Sequence, residues 1–568
     1  MQNEKEEKMQ LAVYKAYAIL IKLNKIEHTA DNIQKAENEF REAYLQLQED
    51  KKYISILQNR IHTLLIISIR NSSKRQYIKI LKTFFNFDAT KDNAEIISNF
   101  DYKSTQSQIN HFYYEINNDF SFSNVIKPII DSISIYNTQS EDVLSLITTS
   151  AKKYNYRYLY VHDIFSLWLD DYITKNNNTR RSIFDMDGVL PKIWKIYIAI
   201  MAASICKSEY LLQLLEIYFL ENEGDEQWLV NGLDVVPSKL KALAQINELL
   251  AFTPWKINEE EIAEINKRHN NDLNWNYNEL MQAVLILIFY QKLASFCNAI
   301  GIGINTREMK KPKSSTQINT LQSFQDKEKQ ELIHQIEDMN KEDDSSELDD
   351  NNEDEEDDDD EDTIGPTDAI KITKNDSPLQ SHKKSLGDFS FDVLLKLYSP
   401  IFDKHCKSNA KYCDFNPHSQ KYLSYLDFNW NDQGIYIVRE LSKEIIECIN
   451  KEIDFALNIT SNSFGETSLN TTSLRKAIAF YIEKIFGIEH EDYNYANVNI
   501  LLKIDLKKFI KRIATQAFIM QKKDFEYMNS LFKNEEILHV ILLVLSIKER
   551  CQLTYFAKGI NEIFKNFP

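Results

Sequence analysis

The scarcity of chain-breaking residues is the feature that most restricts how this sequence can fold. Only 11 glycines and 10 prolines occur among its 568 residues, and a β-rich protein needs more of both for its tight turns. Long stretches instead carry apolar residues at three- and four-residue steps, for example LAVYKAYAILIKL and ISILQNRIHTLLIISI near the N-terminus. This spacing is typical of amphipathic helices. The sequence therefore predicts an all-α protein.

The net charge of the chain comes almost entirely from one segment. The formal charge is −18, yet residues 342–362 hold sixteen Asp and Glu and no Lys or Arg. Because the rest of the chain is close to neutral, a basic surface of the size that nucleic acids require is not predicted. The residues around the acidic run are also too polar to build a core. We therefore predict a disordered acidic linker that keeps two folded halves apart.

The linker divides the chain into four predicted parts. A helical N-terminal extension covers residues 1–139, and a first helical domain covers 140–307. The linker covers 308–385, and a second helical domain covers 386–568. A scaffold function, in which the extension binds an unrelated partner, is left open as one alternative.

The cellular compartment is predicted from features that the sequence lacks. Its six cysteines form no Cys-x-x-Cys pair, which is typical of free thiols in a reducing compartment. The N-terminal MQNEKEEKMQ has no apolar secretory segment. The longest apolar runs, such as Leu280–Tyr290, are too short to span a bilayer. We expect a cytoplasmic protein without membrane insertion, and the nucleus is left open as a second compartment.

Six stretches of the sequence carry a resemblance to a known family. They are WKIYIAIMAA (Trp194–Ala203), WLVNGLDVVPSKLKALAQINELLAFTPWKI (Trp228–Ile257), WNYNELMQAVLILIFYQKLASFCNAIGI (Trp275–Ile302), DFNWNDQGIYIV (Asp427–Val438), LRKAIAFYIEKIFGIEHEDYNYANVNILL (Leu474–Leu502) and HVILLVLSIKERCQLTYFAKGI (His539–Ile560). In these stretches the chain resembles the sestrins. The resemblance implies two all-helical, alkylhydroperoxidase-like (AhpD-like) domains joined by the linker.

The resemblance also implies a function in nutrient and oxidative-stress signalling. Sestrins restrain the TOR kinase by binding a subcomplex of the GATOR machinery, which controls Rag GTPases. Animal members sense leucine, and the first domain has been credited with hydroperoxide reduction. We therefore expect a non-catalytic regulator that binds a GATOR-type complex and, as an open possibility, a free amino acid. An antioxidant alkyl hydroperoxide reductase is the alternative from another class.

The redox pattern implied by the family, Cys-x-Tyr-x4-His, falls on Ser208, Tyr210 and Leu215. A serine hydroxyl cannot cycle through sulfenic acid, and leucine cannot carry a proton. Cys206 lies two residues before the serine, which is about 200° around the axis of a continuous helix. We therefore expect a degenerate site with no intact catalytic residue, and Cys206 as a buried structural thiol.

An amino-acid site in the second domain is implied by five matching positions. Arg475 matches the arginine that binds the ligand carboxylate, and its fork geometry suits bidentate binding. Glu536 matches the glutamate that binds the ammonium group, and Thr471, Leu474 and His539 match as well. The alternative is that Arg475 and Glu536 form a buried ion pair without any ligand.

Three positions of this site depart from the family. The two threonines expected near the start of the lid fall on Ala456 and Ile459, although Thr460 is adjacent. The tryptophan wall falls on Asn529, which removes a large apolar contact and weakens selectivity for a leucine side chain. Whether leucine or another amino acid binds is therefore left open.

A surface for the partner is implied by GIEHEDYNY (Gly487–Tyr495). Glu491 and Asp492 occupy the acidic pair of the family, and Tyr493 and Tyr495 are aromatic residues of a type enriched at binding hot spots. We expect these residues to dock on a basic patch of the GATOR-type complex. The alternative is a solvated loop with its tyrosines packed inward.

A cluster of cysteine and histidine in HCKSNAKYCDFNPH (His405–His418) raises the question of zinc. Its Cys-x6-Cys-x4-His spacing matches none of the usual structural zinc patterns. We expect neither a metal nor a cofactor.

Overall fold

A computed structural model describes about half of the first 300 residues and most of the chain after residue 411. The described residues are 2–23, 30–48, 50, 53–54, 56–57, 60–61, 170–185, 188–267, 275–300, 330–339, 402–406, 412–439, 442–459, 469–520, 522–532 and 534–564. These residues are almost entirely helical, which confirms the predicted all-α class.

The N-terminal extension begins with two helices that pack on each other, α1 (Gln2–Leu23) and α2 (Ala30–Leu47). Tyr17 and Leu20 of α1 and Phe40 of α2 are fully buried. Burial of this size requires a partner surface beyond the helix pair itself. That surface is provided by helices of the first predicted domain, which α1 contacts directly.

The first predicted domain contains seven described helices. They are α3 (Asp170–Arg180), which continues into a π-helical turn (Arg181–Asp185), α4 (Lys192–Ile205), α5 (Glu209–Glu221), α6 (Glu226–Asn231), α7 (Ser238–Phe252), α8 (Glu259–Lys267) and α9 (Tyr277–Ala299). The acidic start of α8 is capped by Asn258, whose Oδ1 accepts a hydrogen bond from the Glu261 N–H at 3.0 Å. Asn276 and Glu279 form a capping box at the start of α9.

The central helix of the core is α9, which is mainly apolar and is buried on all sides. It includes the run Leu280–Tyr290 and extends to Ala299, and its residues from Leu280 onward are buried. Among the described helices it alone is long and apolar enough to cross a membrane, and its apolar window is entirely buried inside the protein. A helix that is apolar all round is expected at the centre of a large core.

The second predicted domain has the same helical character. Its helices are α10 (Ile435–Arg439), preceded by a π-helical turn (Trp430–Gly434), α11 (Lys443–Asn458), α12 (Thr472–Ile485), α13 (Ala496–Leu501), α14 (Ile504–Gln516), α15 (Lys522–Leu531) and α16 (Asn534–Phe564). Two short strands, β1 (Leu423–Ser424) and β2 (Ile488–Glu489), pair in parallel. Gly487, which follows α12, adopts a φ of 78°, a left-handed conformation that is typical of the residue after a helix.

The two predicted domains share one continuous core, so the expectation that the linker keeps them apart is wrong. Helix α16 packs against α9 as well as against α11 and α12. Lys292 of α9 pairs with Glu452 of α11 and, at 2.7 Å, with Glu549 of α16. The Tyr172 hydroxyl of α3 donates a hydrogen bond to Glu452 at 2.9 Å. This buried cluster joins four helices, two from each predicted domain.

Burial controls the charge state of this cluster. It raises the pKa of Glu549 to about 7, although the Lys292 ammonium acts in the opposite direction. Burial also disfavours the charge of Glu452, but there the Lys292 ammonium prevails and the pKa is lowered. One of the two glutamates therefore releases its proton near neutral pH.

One short helix lies within the predicted linker. Residues 330–339 are helical, and Leu332 and Ile336 are buried in the common core. Glu331 pairs with Lys503 at 3.1 Å, which places this helix beside the start of α14. The acidic run 342–362 and the other residues of the predicted linker lie outside the described residues.

Candidate functional site

The redox positions of the family lie at a break between two helices. Helix α4 ends at Ile205, Lys207 has a positive φ of 54°, and Ser208 is the N-cap residue that precedes α5. The interpretation that Cys206 and Ser208 share a continuous helix is therefore wrong. The backbone turns between the two residues, so the angle of about 200° calculated for a continuous helix does not apply to them.

Cys206 is held in an environment that favours the protonated thiol. Its side chain is buried, and its Sγ lies 3.8 Å from the Gln291 carbonyl oxygen and 3.9 Å from the Ser295 hydroxyl. Burial raises the pKa of the Cys206 thiol, and the Lys548 ammonium and the Ser295 hydroxyl only partly offset this effect. Because the thiolate is the reactive form, this position is poorly suited to attack on a peroxide.

The histidine position of the family's proton relay is occupied by Leu215. Ser208 is fully buried, and its hydroxyl has no hydrogen-bond partner in the described part of the chain. Leu215 is buried in the core, and Tyr210 is partly buried against it. At the three family positions this chain therefore has a hydroxyl, a phenol and an alkyl side chain.

A pocket of about 380 Å³ lies beside α12, and both charges and aromatic rings line it. Its lining includes Arg475 and Lys476 of α12, Arg550 of α16, Asp492 of the loop after β2, and the rings of Tyr425 and Phe480. Its volume lies within the range of small-molecule sites, and such sites combine apolar walls with a few placed polar groups.

Arg475 is fixed at the edge of this pocket by three oxygen atoms. Its Nη1 donates to the Leu457 carbonyl oxygen at 2.5 Å, and its Nη2 donates to the Thr472 hydroxyl at 3.0 Å. Its Nε donates to the Thr471 hydroxyl at 3.3 Å. The guanidinium is half-buried, and burial lowers its pKa. These contacts hold the cation in one orientation in the absence of a carboxylate partner among the described residues.

Glu536 and His539 lie buried on α16, and neither of them lines the pocket. The His539 Nε2–H donates to the Ala456 carbonyl oxygen at 3.4 Å. Burial lowers the pKa of His539 to about 4, and the positive charge of Arg475 adds to this effect. The imidazole is therefore neutral at pH 7. In the described part of the chain, Arg475 makes its polar contacts with Leu457, Thr471 and Thr472 rather than with Glu536.

The remaining predicted ligand positions are distributed around this site. Leu474 is buried, Ala456 is buried in the last turn of α11, and Ile459 is the C-cap residue that follows this helix. Thr460 and the side chain of Asn529 lie outside the described residues.

The acidic loop after β2 forms the exposed rim of the pocket. Glu491 and Asp492 are both exposed, and Asp492 lines the pocket that also contains Arg475. The Ser424 hydroxyl donates to Glu491 Oε1 at 3.1 Å and anchors the loop to β1. Arg475 of the predicted ligand site and Asp492 of the predicted docking surface therefore line one cavity. The spacing of the two residues in the sequence does not indicate this.

The two tyrosines of this loop pack onto the protein. The ring centroid of Tyr493 lies 4.1 Å from that of Phe480 and 5.3 Å from that of Tyr495. The Tyr495 hydroxyl accepts a hydrogen bond from the His490 backbone N–H at 3.1 Å, and the Lys484 ammonium lies 4.2 Å from its ring centroid. The tyrosines therefore brace the loop and leave its carboxylates exposed.

A buried ionic network lies on the core side of the acidic loop. This network was not predicted from the sequence. Glu483 of α12 accepts hydrogen bonds from His490 Nε2 and from Arg550 Nη2, both at 2.7 Å. Burial opposes the negative charge of Glu483, but Arg550 and His490 together lower its pKa. The Tyr425 ring stacks on His490 with centroids 4.4 Å apart. The loop therefore has a rigid base.

The stretch His405–His418 does not bring its cysteine and histidine residues together. His405 is buried, and its Nδ1 lies 3.0 Å from the Tyr197 hydroxyl. Cys406 is buried, whereas Cys413 is exposed near Lys256. Among the residues that the structure describes, no group of three or more His, Cys, Asp or Glu side chains is placed to hold a metal ion.

Comparison with known proteins gives a consistent result. A family model described as PA26 p53-induced protein (sestrin) matches residues 129–563. Sestrin-3 of Mus musculus is 30% identical over 415 residues, which cover 66% of this chain and 79% of that protein. Sestrin-1 of Macaca fascicularis is 28% identical over 420 residues, covering 68% and 80%. Sestrin-2 of Homo sapiens is 27% identical over 408 residues, covering 69% and 81%.

Proposed function

This chain belongs to the sestrin family of stress-inducible regulators, and we propose that it restrains TOR signalling in the cytoplasm by binding a GATOR-type complex. The docking residues are Glu491 and Asp492. A free amino acid bound at Arg475 modulates this interaction. The observation that carries the proposal is the exposed carboxylate pair on a braced loop, next to a pocket that contains a fixed arginine.

The physical argument for docking rests on exposure and rigidity. Glu491 and Asp492 are solvated before binding, and carboxylates of this kind steer a basic partner and accelerate its association. The Ser424 hydroxyl and the network around Glu483 hold the loop in place. A loop that is already ordered loses less conformational entropy when the partner binds.

A double charge reversal tests the docking residues. We expect Glu491→Lys with Asp492→Lys to abolish binding of the purified GATOR subcomplex. The matched control is Glu444→Lys with Glu447→Lys, which makes the same change in charge on exposed residues of α11. Residue 444 is about 20 Å along the helix axis from the pocket end of α11. Undiminished binding by the first variant would refute the docking proposal.

A thermal-shift screen against the twenty amino acids tests the ligand. A ligand that binds only the folded protein raises its apparent stability, by an amount that grows with concentration. We expect a shift with the wild-type chain that disappears in Arg475→Ala, because the guanidinium binds the carboxylate. The exposed Arg439→Ala serves as the control and keeps the shift. Absence of a shift with all twenty amino acids would remove the sensing part of the proposal.

A further inference from the structure

Leu426 is the most exposed large apolar side chain in the described part of the chain, with 71% of its surface accessible. A single exposed leucine is common on protein surfaces and needs no explanation by itself. Its position is what distinguishes it. Leu426 lies two residues after the end of β1, and β1 pairs with β2, the strand that leads into the acidic loop.

One hydroxyl group links Leu426 to the docking pair. The Ser424 Oγ accepts a hydrogen bond from the Leu426 N–H at 3.3 Å and donates one to Glu491 Oε1 at 3.1 Å. Between these residues, the Tyr425 N–H donates to the Glu489 carbonyl oxygen at 3.0 Å. The backbone of Leu426 is therefore held next to Glu491, and its side chain is left in solvent.

Three exposed acidic side chains lie next to Leu426 in the sequence or on the loop bonded to Ser424. Asp427 follows it and is exposed, and Glu491 and Asp492 lie on the adjacent loop. An exposed apolar side chain with charged groups at its edge has the arrangement of an interface anchor with a polar rim. The complementary surface has an apolar pocket with basic residues at its edge.

We propose that Leu426 is the apolar anchor of the docking surface, and that it inserts into an apolar pocket of a partner protein whose basic residues meet Glu491 and Asp492. This inference rests on the proposed function, because the same acidic pair provides the rim. Ser424 is a positioning residue, since its hydroxyl bonds both the Leu426 backbone and the Glu491 carboxylate and so fixes their relative position. Burial of the leucine slows dissociation, whereas the acidic pair mainly governs association.

The test compares four variants in binding kinetics with the purified GATOR subcomplex. They are Leu426→Ser, Leu426→Met, the control Leu45→Ser, and the charge reversal at Glu491 and Asp492. Leu45 is also exposed, at 55%, but it lies on α2 in the N-terminal extension. Since all three single substitutions are at exposed residues, the far-UV circular dichroism and melting temperature are expected to stay unchanged.

We expect Leu426→Ser to weaken binding roughly tenfold or more, chiefly by faster dissociation, because a largely exposed leucine would lose its burial. Leu426→Met keeps an apolar side chain of similar volume and is expected to stay within about threefold of the wild type. Leu45→Ser is expected to bind like the wild type.

Each outcome separates the anchor from the docking proposal. If Leu426→Ser binds like the wild type while the charge reversal abolishes binding, the proposal that Leu426 is an anchor is refuted and the docking proposal stands. If the charge reversal also has no effect, both are refuted. If Leu45→Ser weakens binding as much as Leu426→Ser, the effect is not specific to the surface and the anchor is refuted.

Discussion

Removal of the Arg60 guanidinium is expected to destabilise the whole fold, although the family match begins only at residue 129. Arg60 Nη2 lies 3.0 Å from the Glu216 carboxylate and 2.6 Å from the Tyr14 hydroxyl. The Tyr14 hydroxyl itself donates to Glu216 at 2.6 Å. The N-terminal extension therefore provides the cation for a carboxylate that is buried in α5.

The size of the effect follows from burial. The side chain of Glu216 is 0% exposed and that of Arg60 is 7% exposed. Loss of one member of such a pair leaves an uncompensated buried charge, which typically costs about 3–5 kcal/mol. We therefore expect Arg60→Met to lower the free energy of unfolding by roughly this amount at pH 7.5. The double variant Arg60→Met with Glu216→Gln removes both members of the ion pair and is expected to recover most of the loss.

The measurement is urea-induced unfolding followed by circular dichroism at 222 nm. The matched control is Arg41→Met on α2, where the arginine side chain is 53% exposed and lies 4.0 Å from the Glu37 carboxylate. Exposed ion pairs contribute about 0–1 kcal/mol, so the control is expected to stay close to the wild type. A loss below about 1 kcal/mol for Arg60→Met, or no recovery in the double variant, would show that this contact does not anchor the extension.

Three further predictions concern the core, the acidic loop and the redox position. The raised pKa of Glu549 means that the folded state keeps a proton that the unfolded state releases, so stability falls as the pH rises from about 4.5 to about 7. In Glu549→Gln, the loss of unfolding free energy over this pH range is expected to be smaller than in the wild type by up to about 2–3 kcal/mol. A pH profile of stability identical to that of the wild type would contradict the raised pKa of Glu549. Gly487→Ala is expected to cost about 1–3 kcal/mol, since φ is 78° and the added Cβ would lie 2.5 Å from the Phe415 ring; an unchanged melting temperature would contradict it. Hydrogen peroxide consumption by the wild-type chain is expected to equal that of Cys206→Ser, and a clear excess in the wild type would restore the antioxidant alternative.

The sequence was sufficient to predict the fold class and several local features. Helical periodicity can be recognised over a few neighbouring residues, because helix contacts join residues three and four apart. Gly487 likewise indicates the end of a helix, because it directly follows an amphipathic segment. The break after Ile205 was missed, since Cys206 and Lys207 carry no glycine or proline that marks the end of a helix.

The arrangement of the candidate site depended on contacts between distant parts of the chain. Ser424 bonds Glu491 across 67 residues, and this contact places Leu426 beside the acidic pair. No local pattern reports such a contact, since the strand pair that creates it is two residues long. The sequence indicated the individual charges, and the tertiary structure decided which of them share a pocket.

By itself, the sequence determined that this protein is helical, that it resembles the sestrins, and which residues carry the charges of the two predicted sites. Only the tertiary structure decided that Asp492 and Arg475 line one cavity, and that Arg60 reaches Glu216 across 156 residues. The physical reason is that helical periodicity is a short-range property of the chain. The partner of a buried charge depends on how the helices pack, and packing is settled by the whole core at once.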